Sequence, residues 1–509
     1  MKINKEGNNR RIVRNTAFLT FRMLVVVLIS LYTARVVINA LGVEDFGIYS
    51  VVGGIIGFLG VLNVSLVSAS QRFLAYELGS NGKNYNNILN SLLLIFLIIS
   101  LAAVFIGMLL EPWIVHKVLV YPAHKKEAVV WVYYLSLVAF CINLMSIPYM
   151  ASIVAYERMD AFAYIGLVEA GLKLITAWLL LVIEFDKLKL YGALNALIAI
   201  FIFIFYLTYN LIAIRNISVK FYFERKLFKE MFSYSGWVLF GSFTSIFNVN
   251  GQGLLLNIFF GPAVNAAKSV SDRINSVLSG FSNNFYTAVR PQLVKKYAAG
   301  DISGMIELAC RSTKYSFYIL LLVSLPMLVF TKELLDAWLG AKNITVEMVI
   351  FVKLMIVFSW VNVFEQPITV MVHATGLIKR YEVSVGLLTL TLLPLSFVSF
   401  KLGAPSYASM LILIGLYFIA QFVRLYVCKI RVNISFVNYF KIAFLPVTPV
   451  LFLTFIAIYF LIEYSSKNFS IFFLIPLSSL VCGAFVFLVG LDQLEKEFLK
   501  NFIRNKFIK

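Results

Sequence analysis

The chain has 509 residues, of which 61% are hydrophobic and 14% charged, against roughly 45–50% and 25% in soluble domains. That inventory cannot cover the surface of a water-soluble fold of this size, and it also excludes a disordered chain, a disulfide scaffold and a coiled coil. The net charge of +19 would suggest nucleic acid in a soluble protein. Here the basic residues fall between long apolar runs, so membrane topology accounts for them and no nucleic-acid partner is expected.

A helix needs about 20 apolar residues to cross a bilayer. Taken in chain order, the apolar windows predict fourteen spans, at 16–39, 46–70, 88–110, 129–155, 161–183, 191–214, 231–256, 268–288, 312–331, 350–372, 381–400, 406–428, 442–462 and 470–490. These runs are far longer than barrel strands and apolar all round, so the fold class is an all-α polytopic membrane protein. The basic head is not read as a removable signal, because Arg22 and Arg35 interrupt the segment behind it and no small-residue cleavage site follows. With the N-terminus in the cytoplasm, 28 Lys and Arg residues of the connections and ends fall on the cytoplasmic side and 10 on the other. This asymmetry places both termini inside. No connection has room for a separate soluble domain and no GxxxxGK[ST] loop is present, so an ion gradient, the membrane potential or the substrate's own gradient must supply the energy. The four cysteines, Cys141, Cys310, Cys428 and Cys482, lack CxxC spacing and read as small apolar residues. With three histidines in all, no metal site is expected.

Secondary transporters are often built from repeats, and the junctions suggest one here. Leu41-Gly42-Val43-Glu44-Asp45-Phe46-Gly47 joins spans 1 and 2. Phe260-Gly261-Pro262-Ala263-Val264-Asn265-Ala266 joins spans 7 and 8, with Gly261 lying 219 positions after Gly42. At the same offset Gln71 falls on Arg290, and Gly79 and Gly300 follow the two exits. The expected organisation is a basic N-terminus over 1–13, an N-lobe of six spans over 14–214 and a linker over 215–228. A C-lobe of six spans over 229–428, two further spans within 429–490 and a basic tail over 491–509 complete it.

Ionisable groups at membrane depth are costly and mark cavities or partners. Arg22 and Arg35 lie 13 positions apart in span 1, about 220° around an ideal helix, so a straight helix cannot aim both at one lumen. For each the alternatives are a cavity or snorkelling to headgroups. In span 8, Ser269, Asp272, Arg273, Ser276, Ser279, Gly280 and Asn283 form one polar stripe. It lines either a watery cavity, with Arg273 as attractant and Asp272 as its local partner, or a polar seam between helices. Span 7 adds Asn248 and Gln252 at i,i+4, with Gly251 and Gly253 marking a locally broken or flexible helix. Glu169 and Lys173 are a self-neutralising i,i+4 pair, Glu365-Gln366-Pro367 marks a kink, and Arg424 sits where it could snorkel. Excess cation in a cavity argues for an anionic substrate, and the planar guanidinium fork suits phosphate.

Asn15-Thr16-Ala17-Phe18-Leu19, then Tyr32-Thr33-Ala34-Arg35-Val36-Val37-Ile38-Asn39-Ala40-Leu41-Gly42-Val43-Glu44-Asp45-Phe46-Gly47-Ile48-Tyr49, and Ser68-Ala69-Ser70-Gln71-Arg72-Phe73 with Gly79 resemble the opening of bacterial O-antigen and capsule repeat-unit flippases. These are polysaccharide biosynthesis members of the multidrug/oligosaccharidyl-lipid/polysaccharide (MOP) exporter superfamily. The motif-level likeness covers about residues 10–80. The resemblance implies a two-lobed alternating-access transporter in the bacterial cytoplasmic membrane. Its cargo would be an undecaprenyl-pyrophosphate-linked oligosaccharide of lipopolysaccharide or capsule, moved from the cytoplasmic to the periplasmic leaflet in the company of the polysaccharide polymerase machinery. By likeness of place, Arg35 and Arg273, helped by Arg22, would hold the pyrophosphate in a hydrated cleft between the lobes. Asn248, Gln252, Ser276 and Asn283 would meet the sugars, and Asp272 and Glu365 would couple an ion. Neither covalent chemistry nor a cofactor is needed, so the chain is not expected to be an enzyme. An ion-coupled multidrug or small-molecule antiporter of the same superfamily is the first alternative; a membrane glycosyltransferase and a non-transporting scaffold are weaker ones.

Overall fold

The computed structural model describes residues 5–57, 60–80, 83–115, 122–214, 220, 222–339, 344–465 and 471–497. Lys2, Lys117, Arg215, Lys342, Lys467, Lys500, Arg504, Lys506 and Lys509 lie outside the described residues, as do the side chains of Lys5, Arg10, Arg11 and Arg35. The described chain is helical nearly throughout. Among the described residues, eleven helices are long and apolar enough to cross a membrane. The described residues of the three predicted spans without such a window, at 46–70, 231–256 and 268–288, are helical too. They are the spans in which the sequence concentrates Ser, Asn, Gln and Gly, with charge added in the third.

Packing divides the described chain into two compact units, residues 13–242 and residues 243–509 with 1–12. The first unit holds most of α1 (Lys5–Gly57), then α2 (Gly60–Ser80), α3 (Tyr85–Trp113), α4 (Lys126–Ala155), α5 (Met159–Val182) and α6 (Lys187–Ala213). Its hub is α4, which packs against α2, α3, α5 and α6. Gly192, Ala196 and Ala199 form a buried small-residue stripe on α6, and a Cβ at Gly192 would stand 3.3 Å from Val132 of α4. Small residues are what permit such backbone approach where lipid supplies no hydrophobic drive. Polar ties finish the bundle: Tyr85 donates to Ser152 Oγ at 2.6 Å, Tyr133 to the Gly107 carbonyl at 2.8 Å, and Asn210 to the Tyr149 carbonyl at 3.1 Å.

The boundary between the units falls inside α7 (Arg225–Phe260). The second unit continues with α8 (Pro262–Ala298), α9 (Ile302–Val329), α10 (Thr331–Leu339), α11 (Val346–Asn362), α12 (Glu365–Thr375), α13 (Lys379–Leu390) and α14 (Leu392–Lys401). It ends with α15 (Ala408–Val432), α16 (Phe436–Tyr439), α17 (Val447–Ser465) and α18 (Ile471–Phe485). Phe317, Leu321 and Leu325 of α9 share one apolar core with Val450, Ile458, Cys482 and Leu491. The last two spans therefore complete the interior of this unit. Lys314 of α9 is buried, and its Nζ lies 2.8 and 2.7 Å from the two carboxylate oxygens of Glu495. The Tyr315 hydroxyl donates to the same carboxylate at 2.5 Å. Between α8 and α9, Asp301 caps α9 by accepting from the Gly304 N–H at 2.9 Å. The hydrogen bond from Lys296 is the main force holding its carboxyl below the ordinary carboxylate range.

The two junction glycines share one backbone conformation. Gly42 interrupts α1 at φ 80°, ψ 164°, and Gly261 precedes α8 at φ 81°, ψ −178°. Only glycine enters this region without strain. The second glycine pair does not repeat in this way: Gly300 ends α8 at φ 77°, whereas Gly79 lies inside the last turn of α2. Asp301 must cap α9 immediately, so the chain turns within one residue there. Because a Cβ at Gly42 or Gly261 would meet nothing within 4 Å, alanine at either should cost only backbone strain, about 1–3 kcal/mol. Gly171, helical and equally uncrowded, should instead gain about 0.4–1 kcal/mol as alanine. Thermal unfolding of the three purified variants checks the contrast; equal shifts at all three would refute it.

Candidate functional site

The predicted kink at Pro367 falls where α11 gives way to α12 across Val363 and Phe364, which keep right-handed helical dihedrals, so the span is interrupted in its hydrogen bonding but continues. Proline has no N–H and its ring excludes the carbonyl four residues earlier, which here is Val363. The freed carbonyls are taken up by side chains from several helices. Gln421 of α15 donates to Val361 at 3.0 Å, Tyr286 of α8 to Val363 at 3.3 Å, Tyr439 of α16 to Phe364 at 3.4 Å, and Thr369 to Glu365 at 3.0 Å. Such satisfaction is what allows an interrupted helix at membrane depth.

Glu365 opens α12 at this interruption. Its Oε2 lies 3.1 Å from Nη2 of Arg424, which is 1% exposed. The guanidinium also lies 5.5 Å from the ring centre of Tyr417. Its Nε and Nη1 find no hydrogen-bond partner among the described residues. Arg424 therefore does not snorkel. α15 packs against α11, α12, α13 and α14, and this enclosure leaves the side chain no route to the headgroups. A second pair follows one helix further on, where His373 Nε2 lies 2.8 Å from Glu382 Oε1. Thr369 and Tyr381 hydroxyls hydrogen-bond to each other between the two pairs, and the Tyr381 ring stands edge-on to His373 at 5.9 Å. The sequence reading had Glu365 but missed His373 and Glu382. The signal was a histidine in an apolar helix with a carboxylate nine positions on.

On α8 the expected Asp272–Arg273 partnership does not form. Adjacent helical residues point about 100° apart, and Asp272 is taken by Lys268, whose Nζ lies 2.6 Å from both its carboxylate oxygens. Lys268, counted from sequence as a connection residue, is buried within the helix, its side chain 3% exposed. Arg273, Ser276 and Asn283 lie on an exposed face, and Arg273 has no acidic partner among the described residues. Asn248 and Gln252 of α7 are both 2% exposed. Gln252 approaches Met410 Sδ at 3.8 Å, and neither amide atom of Asn248 has a partner among the described residues. α7 runs unbroken through Gly251 and Gly253. Gly251 serves packing, since a Cβ there would stand 2.5 Å from Leu393. Among the described residues no hydrogen bond or ion pair joins Arg273, Ser276 or Asn283 to Asn248, Gln252 or Glu365.

In the first unit, Arg22 folds onto α5 with its Cζ 4.4 Å from the Phe162 ring centre. The Arg35 side chain is outside the described residues. Further along α1, a cavity of about 200 Å³ is lined by Ile29, Ser30, Thr33, Val37, Ala170, Lys173 and Tyr191. Lys173 is held by Glu169 at 2.6 Å, the pair expected from their spacing.

No protein-family model and no curated protein matches the sequence. Solved structures do match the fold. One is an outward-facing multidrug resistance MATE family transporter of the MOP superfamily, 14% identical, with a TM-score of 0.71 over 85% of this chain and 99% of the other. A second is a MOP superfamily transporter from Pyrococcus furiosus, 14% identical, with a TM-score of 0.72 over 85% and 99% of the two chains. It is described as having a binding pocket of reverse polarity that suggests a different function. A third is a MATE protein in a straight conformation, 16% identical, with a TM-score of 0.71 over the same shares. The chain thus shares the fold of these structures, and it is an all-α multi-pass membrane protein.

Proposed function

We propose that this chain is an alternating-access membrane transporter. The observation that carries the reading is the match of 85% of its length to transporters of the MOP fold. The local interruption of the helix before Glu365 adds support, because departures from regular helix are where secondary transporters gather ion and substrate groups. The solved relatives favour ion-coupled antiport of small organic molecules, since they include a multidrug transporter. The chain's own charges favour a cargo bearing negative charge. The carboxylates of Asp272 and Glu365, proposed for ion coupling, are occupied by Lys268 and Arg424. Arg22 and Arg273 have no carboxylate partner among the described residues. This second observation, with the resemblance around Arg35, supports flipping of a polyprenyl-pyrophosphate-linked oligosaccharide. Arg35, Arg273 and Arg22 would then hold phosphate oxygens through paired N–H donors, and Asn248, Gln252, Ser276 and Asn283 would meet the rest of the cargo.

Reconstituted vesicles under a proton or sodium gradient separate the readings. Gradient-driven movement of an organic-cation dye supports antiport of small molecules. Movement of a labelled polyprenyl-pyrophosphate disaccharide with no dye transport supports the flippase, and glutamine at Arg35 or Arg273 should then slow it by about 10- to 100-fold, the worth of a charge-assisted pair. Movement of neither under either gradient would refute transport.

A further inference from the structure

We infer that Gly166 is a positioning residue for the guanidinium of Arg22, an inference that rests on reading Arg22 as a cargo contact. Gly166 lies on α5 one turn beyond Phe162, the ring that Arg22 covers at 4.4 Å. A Cβ built on Gly166 would stand 2.7 Å from Arg22 Cζ and 2.9 Å from its Nη2, and closer still to Nε. Every heavy atom named there belongs to the guanidinium. The missing side chain at 166 is therefore the space in which the charged group lies. Gly166 is not a turn glycine: it sits inside a regular helix, and its φ is not in the left-handed region. Its backbone conformation is one that alanine adopts more readily. Its neighbour on the same helix, Gly171, has nothing within 4 Å, so crowding is particular to 166.

Two neighbouring features of α5 hold the guanidinium. The aromatic face attracts the cation, and the bare helix backbone lets the group approach without a methyl in the way. A guanidinium held in this manner keeps its fork in one orientation, which is what two parallel bonds to a phosphate or carboxylate require. Alanine at 166 would leave the charge in place yet swing the fork away from that orientation. Position 166 therefore controls affinity for an anionic cargo.

A double-mutant cycle tests this on the full-length protein. The first readout needs no cargo. In thermal unfolding, Gly166→Ala should raise the midpoint in an Arg22→Ala background, as Gly171→Ala should in both, and should raise it less, or lower it, when Arg22 is present and has to move aside. An equal rise in both backgrounds would overturn the placement of the guanidinium. The second readout is the half-saturating concentration of a labelled polyprenyl-pyrophosphate disaccharide in vesicles. Gly166→Ala and Arg22→Ala should each raise it by about tenfold, the worth of one charge-assisted bond, with no further rise in the double variant and the maximal rate preserved in Gly166→Ala. If Arg22→Ala raises it and Gly166→Ala does not, or if the two effects multiply, the positioning role is refuted while the cargo role of Arg22 stands. If Arg22→Ala leaves it unchanged, the cargo role falls and takes the positioning role with it.

Discussion

Glu365→Ala is expected to destabilise the protein by about 3–5 kcal/mol, the cost of leaving a buried charge without its counter-ion. Arg424→Ala should cost clearly less. The asymmetry follows from exposure. Arg424 has 2% of its side-chain surface in contact with solvent and Glu365 has 25%. Removing the carboxylate strands a guanidinium that has no other acceptor for its Nε and Nη1 among the described residues and that cannot give up its proton. Removing the guanidinium leaves a carboxylate that can rehydrate or take up a proton. Methionine at both positions should recover most of the loss, because replacing a buried pair by apolar groups of similar volume is often neutral. Chemical or thermal unfolding of the three variants checks the order; a larger loss for Arg424→Ala than for Glu365→Ala would refute it.

Glu495→Ala is expected to be as damaging, again about 3–5 kcal/mol, although it lies at the far end of the chain. Both members of its pair with Lys314 are shielded, with 7% and 6% of their side-chain surfaces exposed. Here too the partners are unequal. Without Lys314, the carboxylate still accepts from Tyr315 at 2.5 Å and from the Asp492 N–H at 2.9 Å. Without Glu495, the ammonium keeps, among the described residues, only the ring of Tyr315, 5.3 Å away. Lys314→Ala should therefore be the milder single change, and Lys314→Met with Glu495→Met milder than either. A protease applied to the purified protein should cut near residue 490 in Glu495→Ala and spare the parent. Equal resistance of the two would show that the pair does not hold this segment.

Most of the helical frame was legible because a bilayer imposes one length on every span, and runs such as 88–110 and 406–428 have no other reading. The interruption at Pro367 and the special positions of Gly42 and Gly261 were legible for local reasons, a missing N–H and a missing Cβ. The charge pairs were not. Glu365 and Arg424 are 59 positions apart, Lys314 and Glu495 are 181 apart, and no periodicity links such partners. Read alone, Arg424 and Lys314 look like end-of-span cations, because a side chain that can reach water and one enclosed by three helices have the same sequence signature. Lys268 was misplaced for a simpler reason. An apolar window that begins at 268 puts the residue at the boundary, although α8 begins at Pro262 and encloses it.

The pair between Lys314 and Glu495 also sets an order on biosynthesis. At translation rates of about 5–20 residues per second, the 181-residue separation means that α9 waits about 10–40 s for its counter-charge. During that interval a nascent membrane helix carries a lone ammonium, and a segment made 181 residues later is the one that neutralises it.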